Sequence, residues 1–405
     1  MFSRFQHKSL PLTEFVALMA LVMSLVALSI DAVLPALALM GQDLGATDLS
    51  QTQKIITYLF VGLALGQLLF GPLSDYIGRR PAMIAGFIIF FIGSLMALFA
   101  LDFDTLVWSR FIQGIGVAAP RVLSMAIIRD QHNGRAMARV MSFIMMFFIL
   151  VPMLAPMFGQ LVLVFFGWHA IYLAIALIGL VSLLWFLLRQ AETLDKENRQ
   201  TFSIVGYWQM AKQVFTNKKA MGYTLAAGIM SGPFVFYLSS AQQLFQLEYQ
   251  LGDYFVIYFA VLAFSIGIAS FVNGKLVMQV GMRPMVNRAL IVTLVVSVLF
   301  AALSTFYQGL PALWKTSIYL LLVFFCLGIL FGNMNALAME PLGKVAGFGA
   351  AIVGFVSTML SALLAQYIGT FFQSGVMPLV VSFCIASSVS LVVIWLINFY
   401  EAIDS

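Results

Sequence analysis

Among the sixteen carboxylates of this 405-residue chain, Asp31 stands apart because it lies inside an apolar run, SLVALSIDAVLPALAL. Burying an ion in such a run costs about 3 kcal/mol on insertion scales, so a compensating group or a function is expected. Two guanidinium groups, Arg110 and Arg121, lie in a later apolar run. Counted from the same end of their segments, Asp31 and Arg110 fall at similar depth, which permits a charge pair. Burial disfavours a charged carboxyl and a cation beside it favours one, so a neighbour that moves changes whether the proton is held. That is chemistry by which a proton is coupled to a change of shape. The sequence leaves open a plainer reading, in which Asp31 is a permanently paired structural acid or sits at the edge of a watery vestibule. Arg110 and Arg121 are eleven residues apart, which returns to nearly the same helix face about 16 Å along the axis. Arg110 suits proton coupling or a conformational role. Arg121 suits contact with an anionic substrate group, a pair with Asp31 in another state, or snorkelling to a polar cavity.

A second group lies in Gly66 to Pro81, GQLLFGPLSDYIGRRP. Here Gly71-Pro72 is expected to end an apolar span in a turn, and Asp75, Arg79 and Arg80 beside Gly78 to sit in water at one membrane face. Asp75 is placed to meet the positive N-terminus of a neighbouring helix as a conformational latch, the alternative being a solvated turn. The pattern recurs 203 positions on, where Gly71, Leu73, Gly78, Arg80 and Pro81 fall over Gly274, Leu276, Gly281, Arg283 and Pro284. Two related halves are the expectation. The position matching Asp75 is Met278, so only the first copy carries the charge.

A third group is SGPFVFYLSSAQQLF, in which Gly232-Pro233 is expected to break or bend a helix. Such a break is tolerated where freed backbone lines a cavity or is buried in protein. Phe234, Phe236, Tyr237, Gln242 and Gln243 offer aromatic faces and amides, and Tyr58, Asn333 and Asn335 add polar groups. With 23 methionines, which adapt their shape easily, these are candidates for a forgiving substrate pocket. The bland alternative for each is packing or contact with lipid.

The elements that must position these groups follow from composition. With 62% hydrophobic and 9% charged residues, the chain is too poor in ions for a soluble globule. At about 20 apolar residues per crossing, twelve spans fit. They are expected at 14 to 39, 52 to 73, 82 to 100, 105 to 128, 138 to 165 and 169 to 188, then 220 to 245, 254 to 276, 285 to 306, 316 to 338, 348 to 372 and 376 to 399. The run Phe15 to Met40 is too long for a signal-peptide core and is taken as the first retained span. The domains expected are a six-helix bundle over 1–188, a linker over 189–219, and a second bundle over 220–405. Within the linker Ile204, Trp208, Ala211 and Phe215 recur at helical spacing, which suits a helix lying along the membrane interface. Scored by alternate loops, one side carries 17 of the 21 basic residues, which places both termini and the linker in the cytoplasm of a multi-pass inner-membrane protein.

Other chemistries find no support. Gly274-Lys275 and Gly343-Lys344 are followed by Leu and Val, so no phosphate-binding loop is present. The three histidines, His7, His132 and His169, lie at or near span ends, and no His/Cys metal pattern occurs. Cys326 and Cys384 fall in apolar runs, as reduced, packed thiols do. No nucleophile with a base, and no paired carboxylates, suggest an enzyme. The net charge of +5 is an orientation signal rather than a nucleic-acid footprint.

The chain resembles the major facilitator superfamily, and within it the twelve-span drug/proton antiporters of the bicyclomycin-resistance type. Gly71-x-x-x-Asp75-x-x-Gly78-Arg79-Arg80 is similar to the family's loop between spans two and three, with Tyr76 where a basic residue is usual. Arg110-x-x-Gln113-Gly114-x-Gly116 resembles its span-four motif, whose Arg is assigned to proton translocation. Val151-Pro152-Met153-Leu154-Ala155-Pro156-Met157-Phe158-Gly159-Gln160 resembles its span-five antiporter motif with three glycines replaced. Asp31 with Pro35 looks like its span-one acidic position, and Asn335 to Gly347 like the end of its span ten. The resemblance implies a monomeric secondary transporter with no cofactor, driven by the proton gradient, in which Asp31 carries protons and amphipathic molecules leave the cell. Two rivals are a dedicated carrier for one metabolite, peptide or siderophore and, more remotely, a non-transporting membrane sensor.

Overall fold

In hydrocarbon every backbone N–H and C=O must find its partner within the protein, and an α-helix does this within one segment. The computed structural model describes residues 10–46, 49–132, 134–195, 197, 199, 204–371 and 374–404, with backbone alone at 49–50, 134–136, 138–139, 141–142, 145–149, 204–205, 344–346 and 400–404. Arg4 and Lys8, counted above in the orientation score, and His7 lie outside the described residues. All regular structure among the described residues is helical. The elements are α1 (Leu12–Asp31), α2 (Leu37–Asp43), α3 (Lys54–Ile77), α4 (Arg79–Leu98), α5 (Phe103–Gln131), α6 (Gly134–Phe166) and α7 (His169–Arg189), followed by α8 (Ile204–Thr216), α9 (Lys218–Ala241), α10 (Phe255–Val280), α11 (Met282–Thr305), α12 (Leu313–Met339), α13 (Ala346–Gly369) and α14 (Met377–Asp404).

Eleven described spans are long and apolar enough to cross a bilayer, and the 33-residue α6 supplies the twelfth. Their outer stripes are apolar: on α7, Leu173, Leu177, Leu180, Leu184 and Leu188 recur at helical spacing and are all exposed. That is the surface lipid requires. The chain divides into two compact units, Met1–Gly45 with Tyr58–Ile204, and Ala46–Thr57 with Val205–Ser405.

Three expectations about helix breaks need correction. The first span is not continuous: α1 stops at Asp31, a short 3-10 turn covers Leu34–Ala36, and α2 resumes at Leu37. Pro35 is the cause, since it has no N–H to give and restricts the residue before it. Gly71-Pro72 makes no turn, because α3 runs through Pro72 to Ile77 and the chain reverses at Gly78, whose φ is +106°. Likewise α9 runs unbroken through Gly232-Pro233 to Ala241. The irregularity comes about two and a half turns after Pro233, as a π-helical segment at Gln242–Glu248.

Close helix approach in the first unit rests on small residues. A Cβ on Gly116 of α5 would strike the backbone of Phe90 on α4, and one on Gly114 the backbone of Leu59 on α3. The two glycines therefore seat α5 between its neighbours. Asp102 caps α5 by accepting from Thr105 N at 2.8 Å and Thr105 Oγ1 at 2.7 Å, and these donors hold its carboxyl below the usual carboxylate range.

Candidate functional site

Where α1 ends, the backbone ladder is interrupted and carbonyls are left to find other donors. Arg110 of α5 supplies one, its Nη2 donating to the carbonyl oxygen of Ser29. Its Nη1 donates to Gln113 Oε1, Gln113 Nε2 donates to Ser94 Oγ at 2.9 Å, and Ser94 Oγ donates to the Phe90 carbonyl at 2.8 Å. A one-directional chain of hydrogen bonds thus ties α1, α5 and α4 together. The Arg110 side chain is 0% exposed and its guanidinium lies 5.5 Å from the centroid of the Tyr172 ring on α7. The negative end of the α1 dipole offsets part of the cost of burying this cation.

Asp31 closes α1 and is 4% exposed. The charge pair with Arg110 that the sequence permits is not made: among the described residues no ion pair joins the two, and Arg110 is held through the backbone two residues before the acid. The physical reason is the break itself, which offers the guanidinium a fixed carbonyl. Gly159 of α6 completes the surroundings, since a Cβ there would overlap the carbonyl of Ala32. Asp31, Arg110, Gln113 and Gly159 are thereby brought to one place. Pro152 and Pro156 lie within α6, which passes through both. Arg121 does not join them. It follows Pro120 inside α5, its side chain is exposed, and it makes no ion pair with Asp31.

The charged group at the other end of the first unit also differs from expectation. Arg79 is not in water but 5% exposed, and one guanidinium serves three acceptors: Asp75 Oδ1, Asp130 Oδ2 at 2.9 Å and Ser74 Oγ at 2.7 Å. Asp75 is therefore paired within its own turn rather than aimed at a helix end. The N-terminus of α4 is capped by Glu192, whose carboxylate accepts from Arg79 N at 2.9 Å and Arg80 N at 3.0 Å. Arg80 Nη2 donates to the Leu187 carbonyl at 2.6 Å. Sequence reasoning missed both Asp130 and Glu192. Asp130 carried a signal, because a carboxylate in the last turn of a helix opposes the dipole and needs a cation. Glu192, in the linker, carried none.

In the second unit an aromatic cluster forms around Tyr237. Its ring meets Phe324 edge-on at 4.7 Å, stacks with Phe259 at 5.8 Å, and lies 6.2 Å from Phe234, which also touches Phe331 at 5.6 Å. Phe236 is fully buried. Gln242 donates to Gln246 Oε1 at 2.9 Å within the π segment, and Gln243 Nε2 to Thr52 Oγ1 at 3.3 Å. Asn333 and Asn335 do not act together, since two residues along a helix point to nearly opposite sides. Asn333 is buried and donates to Asn273 Oδ1 of α10 at 2.6 Å, whereas Asn335 is exposed and donates to the Phe331 carbonyl. Tyr58, half-buried in the first unit, packs edge-on against Trp108 at 5.9 Å.

The sequence model described as Major Facilitator Superfamily matches residues 19–366. The chain belongs to the major facilitator superfamily. It is a multi-pass membrane transporter and not an enzyme. It is 27% identical over 390 residues to the bicyclomycin resistance protein homolog of Haemophilus influenzae, covering 93% of this chain and 94% of the relative. A Bacillus subtilis relative, the uncharacterized MFS-type transporter YdgK, is 29% identical over 345 residues, covering 84% and 85%. The multidrug transporter MdfA of Yersinia pestis is 26% identical over 323 residues, covering 76% and 75%. Among solved structures, the xylose transporter XylE from E. coli superposes with a TM-score of 0.71 at 13% identity, covering 95% of this chain and 97% of that one. The human organic anion transporter MFSD10 gives 0.70 at 17%, covering 96% and 100%. At these identities the two structures speak for the fold alone, that of this superfamily.

Proposed function

We propose that this transporter exchanges inward-moving protons for outward-moving amphipathic small molecules across the cytoplasmic membrane, as a monomer with both termini in the cytoplasm. The observation that carries this reading is the placement of Asp31. It is a buried carboxyl at the broken end of a membrane helix, next to the carbonyl that Arg110 grips and against the close contact of α6 at Gly159. A carboxylate there meets the negative end of the α1 dipole, so its protonation relieves a repulsion at the joint between α1 and α2. Arg110 senses the same joint through Ser29. Proton binding and the geometry of the first span are in this way parts of one equilibrium. Within the second unit, the half-buried ring of Phe234, stacked beside Tyr237, suits a flat, apolar substrate. The names of two relatives, one for bicyclomycin resistance and one for multidrug transport, agree with this class.

The test is Asp31→Asn in proteoliposomes. Transport driven by an imposed pH gradient should be lost, while the variant still folds and still exchanges substrate for substrate. Wild-type gradient-driven transport by the variant would overturn the reading. A second reading, a dedicated carrier for one metabolite, peptide or siderophore, is favoured by Val151, Ala155 and Gln160, which stand where the antiporter pattern has glycine. A panel of cationic and neutral toxic compounds in a pump-deficient host separates the two, since a dedicated carrier protects against almost none.

A further inference from the structure

An open groove of about 420 Å³ runs between α11 and α12 of the second unit. Its walls are Val296, Leu299, Leu303, Ile318 and Leu322, and its floor is the stacked pair Phe300 and Tyr319, with centroids 4.4 Å apart and planes within 3°. Leu299, Ile318 and Leu322 are exposed, as lipid-facing side chains are. One end of this apolar trough carries a single cation, Lys315, in the first turn of α12. Its Nζ donates to Tyr307 Oη at 2.5 Å and lies 5.4 Å from the Trp314 ring. No carboxylate pairs with it among the described residues. An ammonium has three donors, and Tyr307 takes one. Tyr307 and Trp314 are both exposed, the side chains that mark the boundary between hydrocarbon and water.

A long apolar channel in the bilayer, ending at the polar boundary in one uncompensated cation flanked by an indole and a phenol, has the shape and charge of an anionic phospholipid. We infer that the groove is a specific site for such a lipid, with an acyl chain along Leu299, Ile318 and Leu322 on the Phe300–Tyr319 floor and the headgroup phosphate at Lys315. The cation supplies the preference for an acidic headgroup and the aromatic floor supplies the fit for a chain. The site lies on the outer surface of the second unit and does not use Asp31 or Arg110, so it stands or falls apart from the proposed proton coupling.

Trp314 is a built-in reporter. Purified protein is placed in micelles containing phosphatidylglycerol or phosphatidylcholine with identical brominated chains, and the quenching assigned to Trp314 is taken as the difference between wild type and Trp314→Phe. Brominated phosphatidylglycerol should be preferred about fivefold, the size expected for one cation near an anionic lipid surface. Lys315→Gln should bring the preference to about one, and Lys315→Arg should restore it. Equal quenching by the two lipids in the wild type would overturn the inference, as would a preference that survives Lys315→Gln. Competition by soluble glycerol 3-phosphate as effective as by the lipid would make this a free-anion site and would also overturn it. So would a dimer in which Trp314 is reached by neither lipid.

Discussion

Arg79 holds two carboxylates with one guanidinium, and that arithmetic gives a prediction with a definite sign. Replacing Asp130 by Asn keeps the size and one oxygen acceptor while removing a charge, and Asp75→Asn does the same on α3. In each single variant Arg79 keeps one anion, and the repulsion between two carboxylates sharing one cation is relieved. Each should therefore cost little, about 1 kcal/mol, below the roughly 1.5–3 kcal/mol of a hydrogen bond to a charged group because the amide oxygen still accepts and the repulsion is relieved. The double variant leaves a guanidinium that is 5% exposed with no anion, only Ser74 and two amides. Stripping a buried charge of its partner costs about 3–5 kcal/mol. The pair should thus be worse than the sum of its parts by about 2 kcal/mol, well outside the ~0.5 kcal/mol within which independent sites add. The assay is reversible unfolding by SDS titration in mixed micelles for the four proteins of the cycle. Additive costs, or a single variant as damaged as the double, would refute the claim that Arg79 balances both acids.

Three further outcomes follow from geometry. Gly159→Ala should lose about 1–3 kcal/mol of stability and most transport, because its Cβ meets the backbone of Ala32, which has no rotamer to yield; wild-type melting and transport would mean that this contact does not seat α6. Asp102 is held low, so its contribution to capping α5 is complete above the ordinary carboxylate range and is lost as pH falls through the lowered value. Melting temperatures of wild type and Asp102→Asn should differ at neutral pH and converge in acid, and a gap that persists in acid would refute this. Asn333→Leu removes the donor to Asn273 Oδ1 and should cost about 0.6 kcal/mol, the average for hydrogen bonds between membrane helices; a loss above about 2 kcal/mol in the same SDS titration would show a wider network.

The spans were legible because hydropathy decides what can lie in lipid, whereas the break after Asp31 was passed over although Pro35 carried its signal. What Arg110 would hold was not, because its acceptor is a backbone carbonyl exposed by that break, and backbone groups leave no mark in a sequence. Pro72 and Pro233 were overread: a proline interrupts a soluble helix more readily than a packed membrane helix, whose neighbours and local adjustments satisfy the freed carbonyl. Grouping Asn333 with Asn335 neglected the helical period, which already sets them on different faces. Asp130 was discoverable from its place in the last turn of α5. Glu192 was not, since a lone acid in a polar linker is ordinary until something folds against it.

The clasp formed by residues 75, 79, 130 and 192 draws on parts of the chain made at very different times. Ribosomes deliver residues in order, so Asp75 and Arg79 emerge long before Glu192, which follows the last helix of the first unit. Until then the α4 amides at Arg79 and Arg80 lack the carboxylate that caps them. The last fastening at this end of the first unit is therefore made only when all its spans have been delivered.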